Sequence, residues 1–240
     1  MSVEISVVIP AYNEEARLPR FLPTVVAHLE RTFPNEYEII VANDGSTDGT
    51  LRWLMNQELD WRRVAILTLE SNRGKGAAVR EGVGQSKGRL VLYCDADGAA
   101  PIEEERRLRE AIESGADVAV GSRAVSSPGV TVHRPASRRI AGRLFIALAQ
   151  WTLRPPVRDT QCGFKMFRGE VARRIANAAT EDGYLFDLEW LALAQCEGCK
   201  ILEVGVNWTE MPGSKLSVSK DALKVLKSLI GLRRRLKERT

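Results

Sequence analysis

The sequence predicts an α/β fold in which a mostly parallel central sheet is covered by helices on both faces. Three observations predict it. Short apolar, β-branched runs recur at Ser6–Pro10, Glu38–Ala42, Val64–Leu69 and Leu90–Cys94, each with the length and composition of a strand. Stretches of helical periodicity separate them, and strands alternating with helices imply a largely parallel sheet. Each run ends in a polar, glycine-containing or turn-forming loop. Those loops share one edge of the sheet, where open α/β folds bind their ligands.

Taken in order, Pro10 ends the first strand. Leu18, Phe21, Leu22, Val25, Val26 and Leu29 then recur at three- and four-residue spacing, one apolar helix face. Pro19 and Pro23 predict that this helix starts late or kinks. The second strand runs into Asn43-Asp44-Gly45-Ser46-Thr47-Asp48-Gly49, where Ser46 or Thr47 is expected to cap a helix carrying Leu51, Leu54 and Met55. Asn72-Arg73-Gly74-Lys75-Gly76 follows the third strand and leads into a short, small-residue helix to about Gly84. The fourth strand stops at Asp95 and Asp97. Glu103 to Ser114 reads as an acidic helix and Asp117 to Gly121 as a further strand, ending in Ser122-Arg123 and a Ser/Pro/Gly loop to about Ser137. An apolar helix is expected from Ile140 to Leu153, another helix opening at Gly183–Glu189, and a last strand region from Cys199 to Trp208. The expected organisation is one domain over 1–218 and a basic amphipathic helix over 219–240, capped by Ser219.

Composition narrows the function. Hydrophobic content of 44% and charged content of 28% suit an ordinary soluble domain with a sizeable core. No apolar run approaches the roughly 20 residues of a membrane span, and no basic segment precedes an apolar one at the N-terminus. The net charge of +4 is a property of the tail: residues 220–240 carry eight Lys/Arg against two Asp/Glu, which leaves the rest slightly acidic. A general nucleic-acid surface is therefore not expected. Four cysteines, including Cys196 and Cys199, are read as reduced structural thiols of a cytoplasmic protein.

The chemistry concentrates where the fourth strand ends. Two carboxylates one residue apart, with only Gly, Ala and Pro bulk after them, suit a hard divalent cation carrying phosphates. Taken alone, the same residues would also make a polar turn. A dinucleotide fingerprint after the first strand and a P-loop are both missing from the sequence. Val8-Ile9-Pro10-Ala11-Tyr12-Asn13-Glu14, Asn43-Asp44-Gly45-Ser46-Thr47-Asp48, Asn72-Arg73-Gly74-Lys75-Gly76 and Asp95-Ala96-Asp97 occur in that order. Together they resemble family-two glycosyltransferases of the GT-A fold. The resemblance implies an inverting transferase that uses a nucleotide-activated sugar and Mg²⁺ or Mn²⁺. Pro10, Tyr12 and Glu14 would then face the base and ribose, and Asp44 would hydrogen-bond the base. Arg73 and Lys75 would lie on the nucleotide sugar, Asp97 would ligate the metal, and Asp95 would assist it or face ribose or sugar hydroxyls. Helix capping and first-turn charge are the plainer reading of Glu14 and Asp44. Asn43 and Ala99 depart from the pattern, which often has Asp at the first position and, in mannosyl-lipid enzymes, Gln at the second.

Arg158–Phe167 and Gly183–Glu189 resemble the subset that glycosylates polyprenyl phosphates, most closely the dolichyl-phosphate β-glucosyltransferases. The implied donor is UDP-glucose and the implied acceptor a lipid monophosphate. A phosphomonoester is already anionic near neutral pH, so the site needs cations that bring one anion to another more than it needs a base. Arg123, with Arg134, Arg138 and Arg139, could hold an anionic group, and Lys165 could meet a phosphate. Asp159 would orient the acceptor or act as base, with Asp187 second; alternatively, Asp159 pairs with Arg158 or Arg123. The basic helix, if not simply packed on the domain, would hold the protein peripherally at the inner face of a membrane. A soluble acceptor and a GDP-mannose donor are the alternatives.

Overall fold

A computed structural model of the chain describes residues 2–58, 60, 62–133, 155–211, 231–232 and 234–235. Within them the chain forms β1 (Ile5–Ala11), α1 (Leu18–Thr32), β2 (Tyr37–Asn43), α2 (Thr50–Met55), β3 (Val64–Thr68), α3 (Lys75–Gln85) and β4 (Leu90–Cys94). A 3-10 turn at Ile102–Glu104 leads into α4 (Glu105–Glu113), then β5 (Val118–Ser122), β6 (Val132–His133) and β7 (Phe164–Arg168). The last described elements are α5 (Gly169–Ala178), α6 (Phe186–Cys196), β8 (Ile201–Gly205) and β9 (Trp208–Thr209).

Seven strands make one sheet in the order β3-β2-β1-β4-β7-β5-β8. Every neighbouring pair is parallel except those of β7, which runs antiparallel to both β4 and β5. The mostly parallel sheet is as the sequence predicts. The antiparallel strand is not: its residues fall in a stretch for which no strand was expected. Its register places Lys165 opposite Tyr93 of β4.

Side-chain alternation divides the core into two layers. Ile5, Val7 and Ile9 of β1 point to the face covered by Leu18, Phe21, Leu22, Val25 and Leu29 of α1 and by Leu108 and Ile112 of α4. Val8, Val91 and Tyr93 point to the opposite face, under Val79 and Val83 of α3, Ile175 of α5 and Trp190 of α6. Strands apolar on both faces are what a sheet covered on both sides requires.

Local details differ from expectation for identifiable reasons. α1 begins at Leu18 with Pro19 in its first turn, and Pro23 is accommodated inside it. Neither Ser46 nor Thr47 caps α2: Asp48 accepts the Thr50 N–H at 2.9 Å, while Ser46 Oγ takes the Asn13 N–H at 3.0 Å. The expected last strand is two, β8 in the main sheet and β9 paired in parallel with β6. The four cysteines are free thiols. Among the described residues no helix is long and apolar enough to cross a membrane. The expected helix over 140–153, Arg134, Arg138 and Arg139, and most of the basic C-terminal helix lie outside the described residues. Of the latter, Leu232 is fully buried, and Arg235 lies 3.6 Å from Glu181 and 4.0 Å from Glu189.

Gly82 lets α3 lie close on β1. A Cβ there would sit 2.6 Å from Val8 Cγ1, and Val8 is fully buried and β-branched. Glycine to alanine inside a helix normally gains up to about 1 kcal/mol; here overpacking of about 1–3 kcal/mol outweighs that gain. Gly82→Ala is therefore expected to lower the free energy of unfolding in urea titrations.

Candidate active site

The site is built on the edge where the parallel strands end. β4 is buried along its whole length, and Asp95 and Asp97 follow its last residue. Asp95 Oδ1 lies 2.5 Å from Nζ of Lys75, the first residue of α3. An ammonium at a helix N-terminus opposes the helix dipole, so Lys75 is placed there by its carboxylate partner and by the Phe186 ring, 5.7 Å below it. Burial lowers and the Asp95, Asp187 and Asp97 carboxylates raise the Lys75 ammonium, and the net shift is upward. Gly163 closes the other side of Asp95: its carbonyl accepts the Asp95 N–H at 3.0 Å. A Cβ on Gly163 would come within 2.2 Å of the Asp95 carboxylate. Asp95, Ala99, Ala100, Cys162, Gly163, Phe164 and Trp208 line a cleft at this corner.

Asp97 is the more frustrated carboxylate. Burial and then the neighbouring Asp95 charge push its carboxyl above the usual range, against the Ala99 N–H and the positive fields of Arg17 and Lys75. Its Oδ1 accepts the Ala99 N–H at 3.0 Å, and its Oδ2 has no hydrogen-bond partner among the described residues. A divalent cation fits this pair: the donors are all carboxylate oxygen, and a positive ion relieves both the burial and the repulsion. Among the described residues no third His, Cys, Asp or Glu converges on them. Such an ion would need the remaining ligands from water or phosphate.

The loops after β1, β2 and β3 are stitched together beside this corner. Asn13, in a left-handed conformation at φ 53°, accepts the Thr47 N–H at 2.8 Å and the Asp48 N–H at 3.3 Å through Oδ1. Pro10 is buried in β1, and Glu14 holds Arg17 through two hydrogen bonds of 2.5 and 2.6 Å. Asp44 is buried, and its two oxygens each accept a backbone N–H at 2.8 Å, from Arg73 and Gly74. Asp44 therefore fixes the loop that carries Lys75. Gly74 has φ +115°, and a Cβ on it would meet the Asp182 carbonyl at 2.3 Å. Its lack of a side chain lets the loop before α6 pack against the loop before α3. Arg73 itself reaches outward to Glu81 at 3.3 Å and Asp182 at 3.7 Å.

The second cluster adjoins the cleft through Trp208. Asp159 grips Arg123 by its fork, with Nε and Nη2 both at 2.7 Å, and also takes the Arg123 N–H at 3.0 Å. Burial alone would raise the Asp159 carboxyl, but the hydrogen bonds and charge of Arg123 outweigh it and hold it below its usual range. The Arg123 guanidinium lies 5.2 Å over the Trp208 ring. Glu203 of β8 accepts the Asp159 N–H at 2.9 Å and the Ser122 hydroxyl at 2.7 Å, tying both halves of the pair to the sheet. Lys165 and Asp187 are brought together away from this surface. Both are buried, their Nζ–Oδ1 separation is 2.5 Å, and Tyr93 bonds to each.

Sequence reasoning did not single out Arg17, Tyr93, Glu203 or Trp208. Only Arg17 carries a local signal, its position three residues after Glu14.

Strand-end loops, a carboxylate pair fit for a divalent cation and an arginine beside the cleft suit a nucleotide-sugar transferase. Residues 6–176 match the model of glycosyl transferase family 2, and the chain belongs to that family. It is 39% identical to the dolichyl-phosphate beta-glucosyltransferase of Drosophila melanogaster over 228 residues, 90% of this chain and 70% of that one. It is 36% identical to the Mus musculus enzyme of that name, over 97% of this chain and 75% of the relative. Among solved structures, glucosyl-3-phosphoglycerate synthase from Mycobacterium tuberculosis with UDP superposes with a TM-score of 0.67 at 19% identity, covering 95% of this chain and 80% of that one. The same synthase with Mn²⁺, UDP and phosphoglyceric acid gives 0.66 at 20% identity, over 95% and 79% of the two chains. The Staphylococcus aureus TarS fragment with UDP-GlcNAc gives 0.57 at 21% identity, over 96% and 66%. These likenesses establish the GT-A fold.

The Asp159 shift has a pH signature. A depressed carboxyl contributes stability at pH values above its unfolded pKa, about 3.9. That contribution is lost as the pH falls from there through the lower folded value. Denaturant titrations are expected to show a decline below about pH 4 that is shallower in Asp159→Asn.

Proposed function

We propose that this glycosyltransferase moves glucose from UDP-glucose, with inversion, to the phosphate of a polyprenyl lipid at a membrane surface. The observation that carries this reading is that two oppositely charged corners adjoin one cleft: Asp95 lines it with Asp97 two residues on, and Arg123, held by Asp159, stands over the ring of Trp208, which lines it too. The names of the relatives, dolichyl-phosphate beta-glucosyltransferases at 36–39% identity, support glucose and a lipid phosphate.

In this reading Asp97 and Asp95 hold Mg²⁺ or Mn²⁺. A divalent cation there neutralises charge that builds on the departing nucleoside diphosphate. Tyr12 and Glu14 line the approach of base and ribose, with Pro10 and Asp44 buried behind them and Asp44 holding the Arg73–Gly74 backbone. Lys75 supplies positive charge beside the diphosphate and holds Asp95 in place, whereas the Arg73 side chain is turned outward to Glu81 and Asp182. Two of the five guanidinium N–H groups of Arg123 serve Asp159, which leaves three for an anionic oxygen. An acceptor phosphate oxygen held there attacks the anomeric carbon as the bond to the diphosphate breaks on the opposite face. The oxygen arrives ionised, so no proton need be removed. Asp159 suits this chemistry as a positioning group, since it stays deprotonated and both its oxygens are engaged. Asp187 and Lys165 serve from beneath.

The test is incubation with Mg²⁺ or Mn²⁺, labelled UDP-glucose, UDP-GlcNAc and GDP-mannose, and a short-chain polyprenyl phosphate. Glucosylated lipid phosphate is expected, and product only with soluble acceptors would sink the lipid reading. Asp97→Asn should abolish product and metal-dependent UDP binding while raising the stability of the metal-free protein, because a buried, repelled charge is removed.

We also assign the basic C-terminal segment to the membrane surface. Replacing Lys224, Lys227, Arg233 and Lys237 with Gln spares the buried Leu232 and the paired Arg235. Each lost charge should weaken binding to phosphatidylserine vesicles by about 1 kcal/mol, with the loss fading at high salt. Equal vesicle binding at low salt would mean that the segment only packs on the domain.

A further inference from the structure

Lys165 sits in the middle of a sheet strand with no exposed surface. Its ammonium donates to the Tyr93 hydroxyl at 2.8 Å, the Cys162 carbonyl at 2.6 Å and Asp187 Oδ1 at 2.5 Å, and Tyr93 donates to the same Asp187 oxygen. Taking such a pair out of water is costly, and apolar side chains of similar volume often do as well for stability. Stability alone is therefore a poor reason for the group. Its contacts point to another. Cys162, whose carbonyl Lys165 holds, precedes Gly163, and Gly163 both accepts the Asp95 N–H and lies against the Asp95 carboxylate. On the other side, the Phe186 ring, next to Asp187 in the chain and packed on Tyr93 at 5.6 Å, lies 5.7 Å from the Lys75 ammonium, which binds Asp95. Both grips on Asp95 lead back to the same three buried side chains.

We propose that Tyr93, Lys165 and Asp187 form a positioning unit for the donor side of the site, fixing the Cys162–Gly163 backbone and the Lys75 ammonium and through them the Asp95 carboxylate. The proposal rests on the reading that Asp95 faces the nucleotide-sugar donor. The three groups act through Asp95 and Lys75 and do not themselves touch the reacting atoms. The aromatic packing of Tyr93 with Phe186 and Trp190, at centroid distances of 5.6 and 6.3 Å, holds the unit rigid.

The experiment separates stability from positioning. An all-apolar replacement, Tyr93→Phe with Lys165→Met and Asp187→Val, removes every charge without leaving one unpaired. Its denaturation midpoint is expected to stay near that of the parent or rise. Calorimetric affinity for UDP with Mn²⁺ should fall about tenfold or more, and the donor KM should rise while the acceptor KM stays within about twofold. A folded triple variant with parental UDP affinity and donor KM would overturn the proposal. Should that variant not fold, Tyr93→Phe alone decides: it removes one hydroxyl from an otherwise intact core. A loss of UDP affinity of at least about threefold is expected there in protein that still folds, with a lowered denaturation midpoint because the buried Lys165–Asp187 pair loses a partner, and unchanged affinity overturns the proposal. The parent protein is titrated first with UDP and GDP in Mn²⁺. Binding of neither would overturn the reading of the donor site itself, and with it the purpose assigned to these residues. Binding by the parent that the variants match would overturn the positioning role alone.

Discussion

Two carboxylates one residue apart, at the end of a strand buried on both faces, repel each other and resist desolvation. Much of the architecture around β4 is a response to that constraint. Lys75 is brought to Asp95 from the start of α3, against the preference of a helix N-terminus for negative charge. Arg17 lends its field to Asp97 from the start of α1. The loop carrying Lys75 is in turn fixed by Asp44 and packed by Gly74 against the loop before α6. Compensation is incomplete, since the Asp97 carboxyl remains raised. A site left short of positive charge is disposed to take up a cation together with its anionic cargo, which is the property a metal-dependent diphosphate leaving group requires.

The two charged corners differ in a way that matters for mechanism. Around Asp97 charge is under-compensated, whereas Asp159 is saturated: two guanidinium N–H groups and one backbone N–H converge on it. An under-compensated carboxylate binds cations; a saturated one organises its partner. Trp208 beneath the guanidinium and Glu203 behind the backbone complete the second arrangement. The arginine is thereby held with its remaining donors in a fixed fork, the geometry suited to a phosphate.

How much of this was legible in the sequence depended on how local each signal was. The alternation of strands and helices is written in short windows, and so is the change from apolar run to acid at Asp95, Asp97 and Asp44. Those windows gave the α/β class and the edge of the sheet where the carboxylates gather. What lies in pairings across the chain was not legible. Asp159 finds Arg123 36 positions away, and Lys165 meets Tyr93 72 positions away. From the sequence Lys165 was expected to meet a phosphate. Only the antiparallel register of β7 against β4 turns it inward, and no local pattern encodes that register. Trp208 was readable as a strand residue, but its place under a guanidinium depends on β9 leaving the main sheet to pair with β6.

The inward turn of Lys165 links the donor edge of the sheet to its interior. β7 sits between β4, which ends in the Asp95 carboxylate, and β5, which ends in Ser122 beside Arg123. Its N-terminal approach passes from Asp159 through Cys162 and Gly163, so one short segment touches both charged corners. A rigid segment in that position keeps the two corners at a fixed separation. In-line transfer demands such a separation, because a reacting oxygen and the group it displaces must stay aligned within fractions of an ångström. Buried charge in this segment, expensive as packing, is understandable as the means of holding that alignment.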